Sequence, residues 1–186
     1  MKLRVHAKVD AAYSLGPGLR AGLWVQGCSQ GCSGCFNPNT HPARGPELDV
    51  GYSDSWLIQV SVASPEVEGL TVSGGEPMEQ AEAVLELLYD AKTLGLSRIM
   101  YTGWEYDRFC QHPLAQRLTA LLDVLICGPF VESKKCGGME GSSNKKVIYI
   151  TDRYSPSDLL AVPEAELVLR PDGTQVWLGT CAPEVP

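Results

Sequence analysis

The sequence predicts an α/β protein: parallel strands alternating with helices, forming a sheet that is open or curled into a partial (β/α) barrel, with a C-terminal β-hairpin appendage. Three observations carry this. Four short apolar runs each end in a glycine, helical stripes occupy the intervals between them, and an Asp-Gly pair stands between two β-rich runs near the C-terminus. A complete eight-stranded barrel takes about 250 residues, so a chain of 186 residues with five such strands predicts an incomplete one.

The first apolar run is Leu23-Trp24-Val25-Gln26-Gly27, short and bounded as a buried strand would be. Ser53 or Asp54 is placed to cap a helix through Ala63, although Trp56 to Val62 also contains strand-forming residues. Leu70-Thr71-Val72-Ser73-Gly74 is the second strand. From Met78 to Leu94, apolar residues at 81, 84, 85, 88, 91 and 94 make one helical stripe, closed by Gly95. Ile99-Met100-Tyr101-Thr102-Gly103 completes a βαβ unit. Two helical pieces, Glu105 to Gln111 and Pro113 to Leu122, lead to the fourth strand, Val124-Leu125-Ile126-Cys127-Gly128, with Pro113 suited to a first helical turn. Lys146 to Ile150 reads as a fifth strand. Beyond it, Leu167-Val168-Leu169-Arg170 and Thr174-Gln175-Val176-Trp177-Leu178 flank Pro171-Asp172-Gly173, a hairpin signal, and Ala182 to Pro186 reads as a frayed end. The organisation expected is a core of residues 1–150 and an extension of residues 151–186 within the same domain.

A formal net charge of −7 argues against broad attraction to nucleic acid. The N-terminal stretch has basic residues but no apolar run of signal-peptide length, and nowhere do about 18 apolar residues occur together, so the reading is a soluble cytoplasmic protein with no membrane partner. Seven cysteines in such a chain are expected as thiols, where clustering points to metal and scattering to packing. Cys110, Cys127, Cys136 and Cys181 are scattered and read as free thiols.

Cys28, Cys32 and Cys35 are not scattered. They lie in Gly27-Cys28-Ser29-Gln30-Gly31-Cys32-Ser33-Gly34-Cys35-Phe36-Asn37-Pro38, directly after the first strand. The run Ser73-Gly74-Gly75-Glu76-Pro77 follows the second strand, so both motifs belong at the C-terminal edge of one parallel sheet, where α/β proteins build their sites. Three thiolates are too few for a structural zinc site, and neither His41 nor a distant cysteine completes a familiar zinc spacing. Three thiolates do hold three irons of a 4Fe-4S cluster and leave the fourth iron open to a ligand. The glycines let the sulfurs converge and let a ligand approach the main chain at Gly74 and Gly75.

Cys-x3-Cys-x2-Cys followed by Gly-Gly-Glu-Pro resembles the radical S-adenosylmethionine (SAM) enzymes, and more narrowly the activating enzymes of anaerobic ribonucleotide reductase and other glycyl-radical enzymes. The matching stretches are residues 16–38, LTVSGGEPM, YTGWEYD, DVLICGPFV and GSSNKKVI. The resemblance implies a 4Fe-4S cluster on Cys28, Cys32 and Cys35, with SAM chelating the open iron. It implies reductive cleavage of SAM to methionine and a 5′-deoxyadenosyl radical that abstracts hydrogen. By motif, Gly74, Gly75 and Glu76 receive the SAM amino group, Phe36 lies beside cluster and adenine, Thr102 touches the SAM carboxylate, and Ser142, Ser143 and Asn144 shape the pocket. Each has an alternative reading: Glu76 as a helix-start acid, Phe36 as core, Thr102 as a strand-end hydroxyl, the Ser-Ser-Asn run as a turn, and Arg20 as a surface charge.

Two positions depart from the family pattern. Gly34 stands before the third cysteine where many radical SAM enzymes have an aromatic residue, and Cys127-Gly128 replaces an Asp-Gly pair. The implied partners are a glycyl-radical enzyme as protein substrate and a flavodoxin- or ferredoxin-like electron donor. Two other functions stay open at this point: a SAM-dependent tailoring enzyme acting on a peptide or small metabolite, and an iron-sulfur redox or sensor protein without turnover.

Overall fold

The computed structural model describes residues 1–51, 55–169 and 173–180. It contains a seven-stranded sheet in the order β3-β1-β2-β4-β5-β6-β7 and a separate two-stranded sheet, β8-β9. The strands are β1 (Lys2–Ala12), β2 (Arg20–Val25), β3 (Glu47–Asp49), β4 (Gly69–Gly74), β5 (Ser97–Thr102), β6 (Val124–Cys127), β7 (Lys146–Tyr149), β8 (Glu166–Leu169) and β9 (Gln175–Leu178).

The four central strands β2, β4, β5 and β6 pair in parallel. They are the four glycine-ended runs of the sequence. They have the near-continuous apolar character of strands covered on both faces. Along β6, Leu125 and Cys127 face one cluster with Leu57, Val84 and Leu88, while Val124 and Ile126 face another with Met139, Leu159 and Val162. The first cluster holds the helices α1 (Trp56–Ala63), α2 (Ala81–Thr93), α3 (Tyr106–Cys110) and α4 (Ala115–Thr119).

The fifth strand departs from expectation. Strand β7 is antiparallel to β6, because residues 128–145 contain only a single 3-10 turn at Glu132–Lys134 and no crossover helix to return the chain to the opposite edge. Helices α3 and α4 are shorter than their sequence stripes, and Pro113 lies just before the Leu114 cap rather than inside α4. Ser55 holds the N-cap position of α1 without a side-chain capping bond among the described residues; the expected caps Ser53 and Asp54 lie outside the described residues. Strands β1 and β3 add an antiparallel flank on the other side.

The C-terminal hairpin is present, with Val168 opposite Val176; Arg170, Pro171 and Asp172, and residues 181–186, expected as a frayed end, lie outside the described residues. Its inner residues Val168, Val176 and Leu178 pack on Val9, Ala12, Leu15 and Trp24. The Glu166 carboxylate accepts hydrogen bonds from the backbone N–H groups of Tyr13 and Ser14 at 2.7 and 2.8 Å. A short helix, α5 (Pro156–Leu160), precedes the hairpin. Among the described residues no helix is long and apolar enough to cross a membrane.

Arg20 is fully buried at the N-terminal edge of the sheet, not on the surface. Its guanidinium donates to Thr71 Oγ1, Ser97 Oγ, Tyr154 Oη and the carbonyls of Pro17, Leu70 and Ser97. Tyr154 in turn donates to Ser97 Oγ at 2.7 Å. One side chain thus joins β2, β4, β5 and the segment after β7.

Candidate iron-sulfur and SAM site

The cysteine loop leaves the C-terminal end of β2 and is closed by its own backbone. Gly27 N–H donates to Thr40 O at 2.7 Å and Cys28 N–H to His41 O at 3.1 Å. The Gln26 amide braces the far side, donating to Asn39 O and Pro42 O. Inside the loop, Cys35 N–H donates to Cys32 O and Asn37 N–H to Cys35 Sγ at 3.4 Å. All three thiols are partly exposed.

The turn after β4 docks directly on this loop. Gly75 N–H donates to Val25 O and Glu76 N–H to Gly27 O, each at 2.8 Å. The approach is so close that a Cβ on Gly75 would fall 2.3 Å from Gly27 O, and Gly74 has φ +104° with Val25 N 2.5 Å from its own missing Cβ. These glycines are therefore required by the contact between the two loops, in addition to any ligand they admit.

Glu76 is the knot of the site. It is 1% exposed. Its Oε1 accepts from Thr102 Oγ1 at 2.7 Å and Met78 N at 2.9 Å; its Oε2 accepts from Gly103 N at 2.8 Å and Gln30 Nε2 at 3.4 Å. Burial raises its carboxyl above the usual range, and those four hydrogen bonds oppose the rise. The side chain thus ties the ends of β4 and β5 to the cysteine loop and also starts the 3-10 turn Pro77–Gln80. Thr102 is engaged in the same knot, its hydroxyl also accepting from Trp104 N at 3.1 Å.

The segment between β6 and β7 lies over the loop. Phe36 packs on Phe130 with ring centroids 4.7 Å apart, Lys135 Nζ stands 5.3 Å from the Phe36 centroid, and Ser33 Oγ donates to Glu132 Oε2 at 3.1 Å. A Cβ on Gly141 would meet the Phe36 ring at 2.8 Å. Of the Ser-Ser-Asn run that follows, Ser142 is fully buried and its hydroxyl has no partner among the described residues; Asn144 anchors its Nδ2 on Pro129 O at 2.9 Å and leaves a buried Oδ1 likewise without one. Ser143 is exposed.

Sequence reasoning missed four residues here. Gln26 and Gln30 sit in the motif as unremarkable polar residues; Glu79 accepts from Ser29 N and Oγ at 2.8 and 2.6 Å; and Lys145 Nζ stands 5.7 Å from the centroid of the Tyr101 ring. Only Lys145 carried a signal, as the cation next to the Ser-Ser-Asn run. Cys127, in place of the family acid, is buried with Sγ 3.5 Å from Lys146 O, and burial raises its thiol. It packs as a small apolar residue. Cys110 is exposed and Cys136 partly so; Cys181 lies outside the described residues.

Among the described residues no three His, Cys, Asp or Glu side chains gather tightly enough for a single metal ion. A 4Fe-4S cluster places each thiolate on its own iron and so needs wider spacing than one ion does. Three partly exposed thiols on one closed loop are a donor set that fits it.

A glycine-rich three-cysteine loop and a Gly-Gly-Glu-Pro turn, joined by main-chain bonds at the C-terminal edge of a parallel sheet, define an iron-sulfur protein of the radical SAM class. The chain matches the 4Fe-4S single cluster domain family over residues 14–148. It is 31% identical over 137 residues to the anaerobic ribonucleoside-triphosphate reductase-activating protein of Vibrio cholerae, covering 71% of this chain and 88% of that protein. It is 28% identical over 142 residues to the Escherichia coli protein of the same name, covering 73% and 91%. A pyruvate formate-lyase-activating enzyme of Staphylococcus epidermidis is 36% identical over 107 residues, covering 55% of this chain and 42% of that enzyme. The chain belongs to the 4Fe-4S single cluster domain family, within the activase branch of the radical SAM enzymes, and its cofactors are a 4Fe-4S cluster and SAM.

Proposed function

We propose that this protein activates a glycyl-radical enzyme of the anaerobic ribonucleotide reductase type by generating a radical on a glycine of that partner. The observation that carries the reading is the direct docking of the Gly74-Gly75-Glu76 turn on the cysteine loop, in a chain spanning 88% of an anaerobic ribonucleoside-triphosphate reductase-activating relative. Cys28, Cys32 and Cys35 hold the cluster. Bound there, a 4Fe-4S cluster would supply the electron for reductive cleavage of the sulfonium C–S bond of SAM to methionine and a 5′-deoxyadenosyl radical.

The chain's own residues bind, orient and shield. The backbone at Gly74 and Gly75 forms the floor beside the loop, and Glu76 and Thr102 hold that floor rigid through each other. Phe36 and Phe130 form an apolar wall beside the loop, with Phe36 itself 39% exposed and so open to a partner's approach. The unpartnered Ser142 hydroxyl and Asn144 Oδ1 are open to the polar groups of SAM; buried polar atoms are ordinarily paired.

The same proposal includes a partial (β/α) barrel formed by the curl of β2, β4, β5 and β6, which leaves a side open to a glycine-bearing loop of a large partner. It includes residues 1–150 as the core, with residues 151–186 an extension of one domain; the Tyr154–Arg20 contact and the hairpin's packing on Val9 support this. The setting is cytoplasmic, with a flavodoxin- or ferredoxin-like donor and no nucleic-acid or membrane partner.

The test is anaerobic incubation of reduced, cluster-loaded protein with SAM and a candidate reductase. Electron paramagnetic resonance should show a doublet that collapses when the partner carries deuterated glycine, with 5′-deoxyadenosine formed in step. A small molecule supporting many SAM-dependent turnovers without a protein radical would overturn the activase reading in favour of a tailoring enzyme. A loaded cluster that binds no SAM would leave a redox or sensor protein.

A further inference from the structure

The family match ends at residue 148, yet residues beyond it reach back to the segment that lies over the cysteine loop. That segment, between β6 and β7, folds on itself as a small hairpin. Lys135 and Ser142 form an antiparallel bridge, Cys136 N–H donates to Gly141 O at 3.1 Å, and Ser143 N–H donates to Lys134 O at 2.9 Å. Its turn runs through Gly137, Gly138 and Met139, with Gly138 at φ +74°. Met139 seats the turn on the sheet: it is buried in the cluster of Ile99, Ile126, Leu159 and Val162, and its carbonyl accepts from the Tyr101 hydroxyl at 2.9 Å.

Two side chains of the extension hold the neighbouring Gly138. Its N–H donates to Glu164 Oε1 at 2.9 Å and its carbonyl accepts from Thr180 Oγ1 at 3.0 Å, so both backbone groups of one residue are engaged from outside the matched domain. The fit is close, since a Cβ on Gly137 would overlap Glu164 Oε1 and one on Gly179 would overlap Glu164 O. Glu164 stands just before β8 and Thr180 just after β9, and the hairpin between them is seated on Val9, Ala12, Leu15 and Trp24. The two holding residues thus have a fixed base. Gly141 passes the contact on to the cysteine loop: the place its Cβ would take is 3.4 Å from Thr180 Cγ2 and 2.8 Å from the Phe36 ring. Next in the chain is Ser142, whose buried hydroxyl has no partner among the described residues.

Apolar packing of Met139 fixes the depth of the turn but not its direction, whereas hydrogen bonds are directional. An acceptor on the N–H and a donor on the carbonyl of one residue set its tilt. We propose that Glu164 and Thr180 are positioning residues for the SAM pocket: by holding Gly138 they keep Gly141 against Phe36 and Ser142 in place to meet SAM. This rests on the reading of Ser142 as a SAM contact, and it makes the C-terminal extension a working part of that site.

The experiment compares wild type, E164A, E164Q, T180V and T180S in two measurements: amide hydrogen exchange of the apoprotein, and SAM affinity of the cluster-loaded protein by equilibrium dialysis. In E164A and T180V the Cys136 and Ser143 amides, which bond within the small hairpin, should exchange about fivefold faster, the equivalent of one hydrogen bond. SAM should bind those two variants about fivefold more weakly. The Gly75 and Glu76 amides, at the contact between the two site loops, should exchange as in wild type. E164Q keeps an acceptor and T180S keeps the hydroxyl, so both should stay within about twofold of wild type in each measurement. If E164A does not fold, T180V decides, because it keeps the shape of threonine and loses only the hydroxyl. Faster exchange shared equally by Gly75, Glu76 and the small hairpin would mark a merely structural role and overturn the proposal. So would either effect without the other, or an E164Q that loses as much as E164A. A loaded wild-type protein that binds no SAM would overturn the SAM reading of this pocket, and this proposal with it, even where exchange quickens as expected.

Discussion

Arg20 and Lys145 occupy opposite edges of the same sheet and are opposite in their bonding. At the N-terminal edge, Arg20 is fully buried with no carboxylate partner among the described residues, and protein oxygens accept from each of its guanidinium nitrogens. At the C-terminal edge, Lys145 stands over the Tyr101 ring with no hydrogen bond or ion pair among the described residues, and within the same set Ser142 Oγ and Asn144 Oδ1, nearby in the chain, are buried and unpaired. The partners of Arg20 tie four segments together, whereas Ser142 and Asn144 each keep a buried polar atom with a hydrogen bond still to make, as Ser14 Oγ does near the Arg20 end of the sheet.

The sharpest way to break this contrast is Gly75→Ala, which puts a methyl group 2.3 Å from the backbone oxygen of Gly27. Neither backbone can yield, so the docked loops should separate, with a stability loss beyond about 4 kcal/mol in urea unfolding and little iron taken up on reconstitution. Arg20→Met should come next, because buried acceptors on Pro17, Leu70 and Ser97 lose their donor. We expect a loss of about 3 kcal/mol, with wild-type iron content under conditions where the variant remains folded.

Glu76 gives a smaller effect, read through pH. Its folded carboxyl is raised by burial, so its contribution to stability is fully present below the ordinary value near 4.5 and is lost as pH climbs toward the raised value. The stability of wild-type apoprotein relative to Glu76→Gln should therefore fall across that window in parallel urea titrations. Ser142→Ala should change least. Removing an orphan hydroxyl leaves stability unchanged or improves it by up to about 1 kcal/mol, while SAM affinity of the loaded protein drops about fivefold by equilibrium dialysis, the equivalent of one hydrogen bond.

Much of this was legible in the sequence, for physical reasons that differ by element. The four parallel strands were visible because burial on both faces makes their residues uniformly apolar, and glycine at each end marks where the chain turns. Strand β1 was not recognised, although Leu3, Val5 and Val9 alternate with polar residues as in a half-buried strand. Direction was invisible for β7: its residues are the same whichever way it runs, and only the absence of a helix between Cys127 and Lys146 decides it. At the site, the cysteines and Gly-Gly-Glu-Pro announce themselves by spacing. Arg20 does not, since a buried charged side chain reads as a surface one until its partners, dozens of residues away in sequence, are seen around it.

The cysteine loop is closed by Gly27–Thr40 and Cys28–His41 backbone bonds that need no metal. The entropy of closing this loop is thus met during folding rather than during cluster assembly.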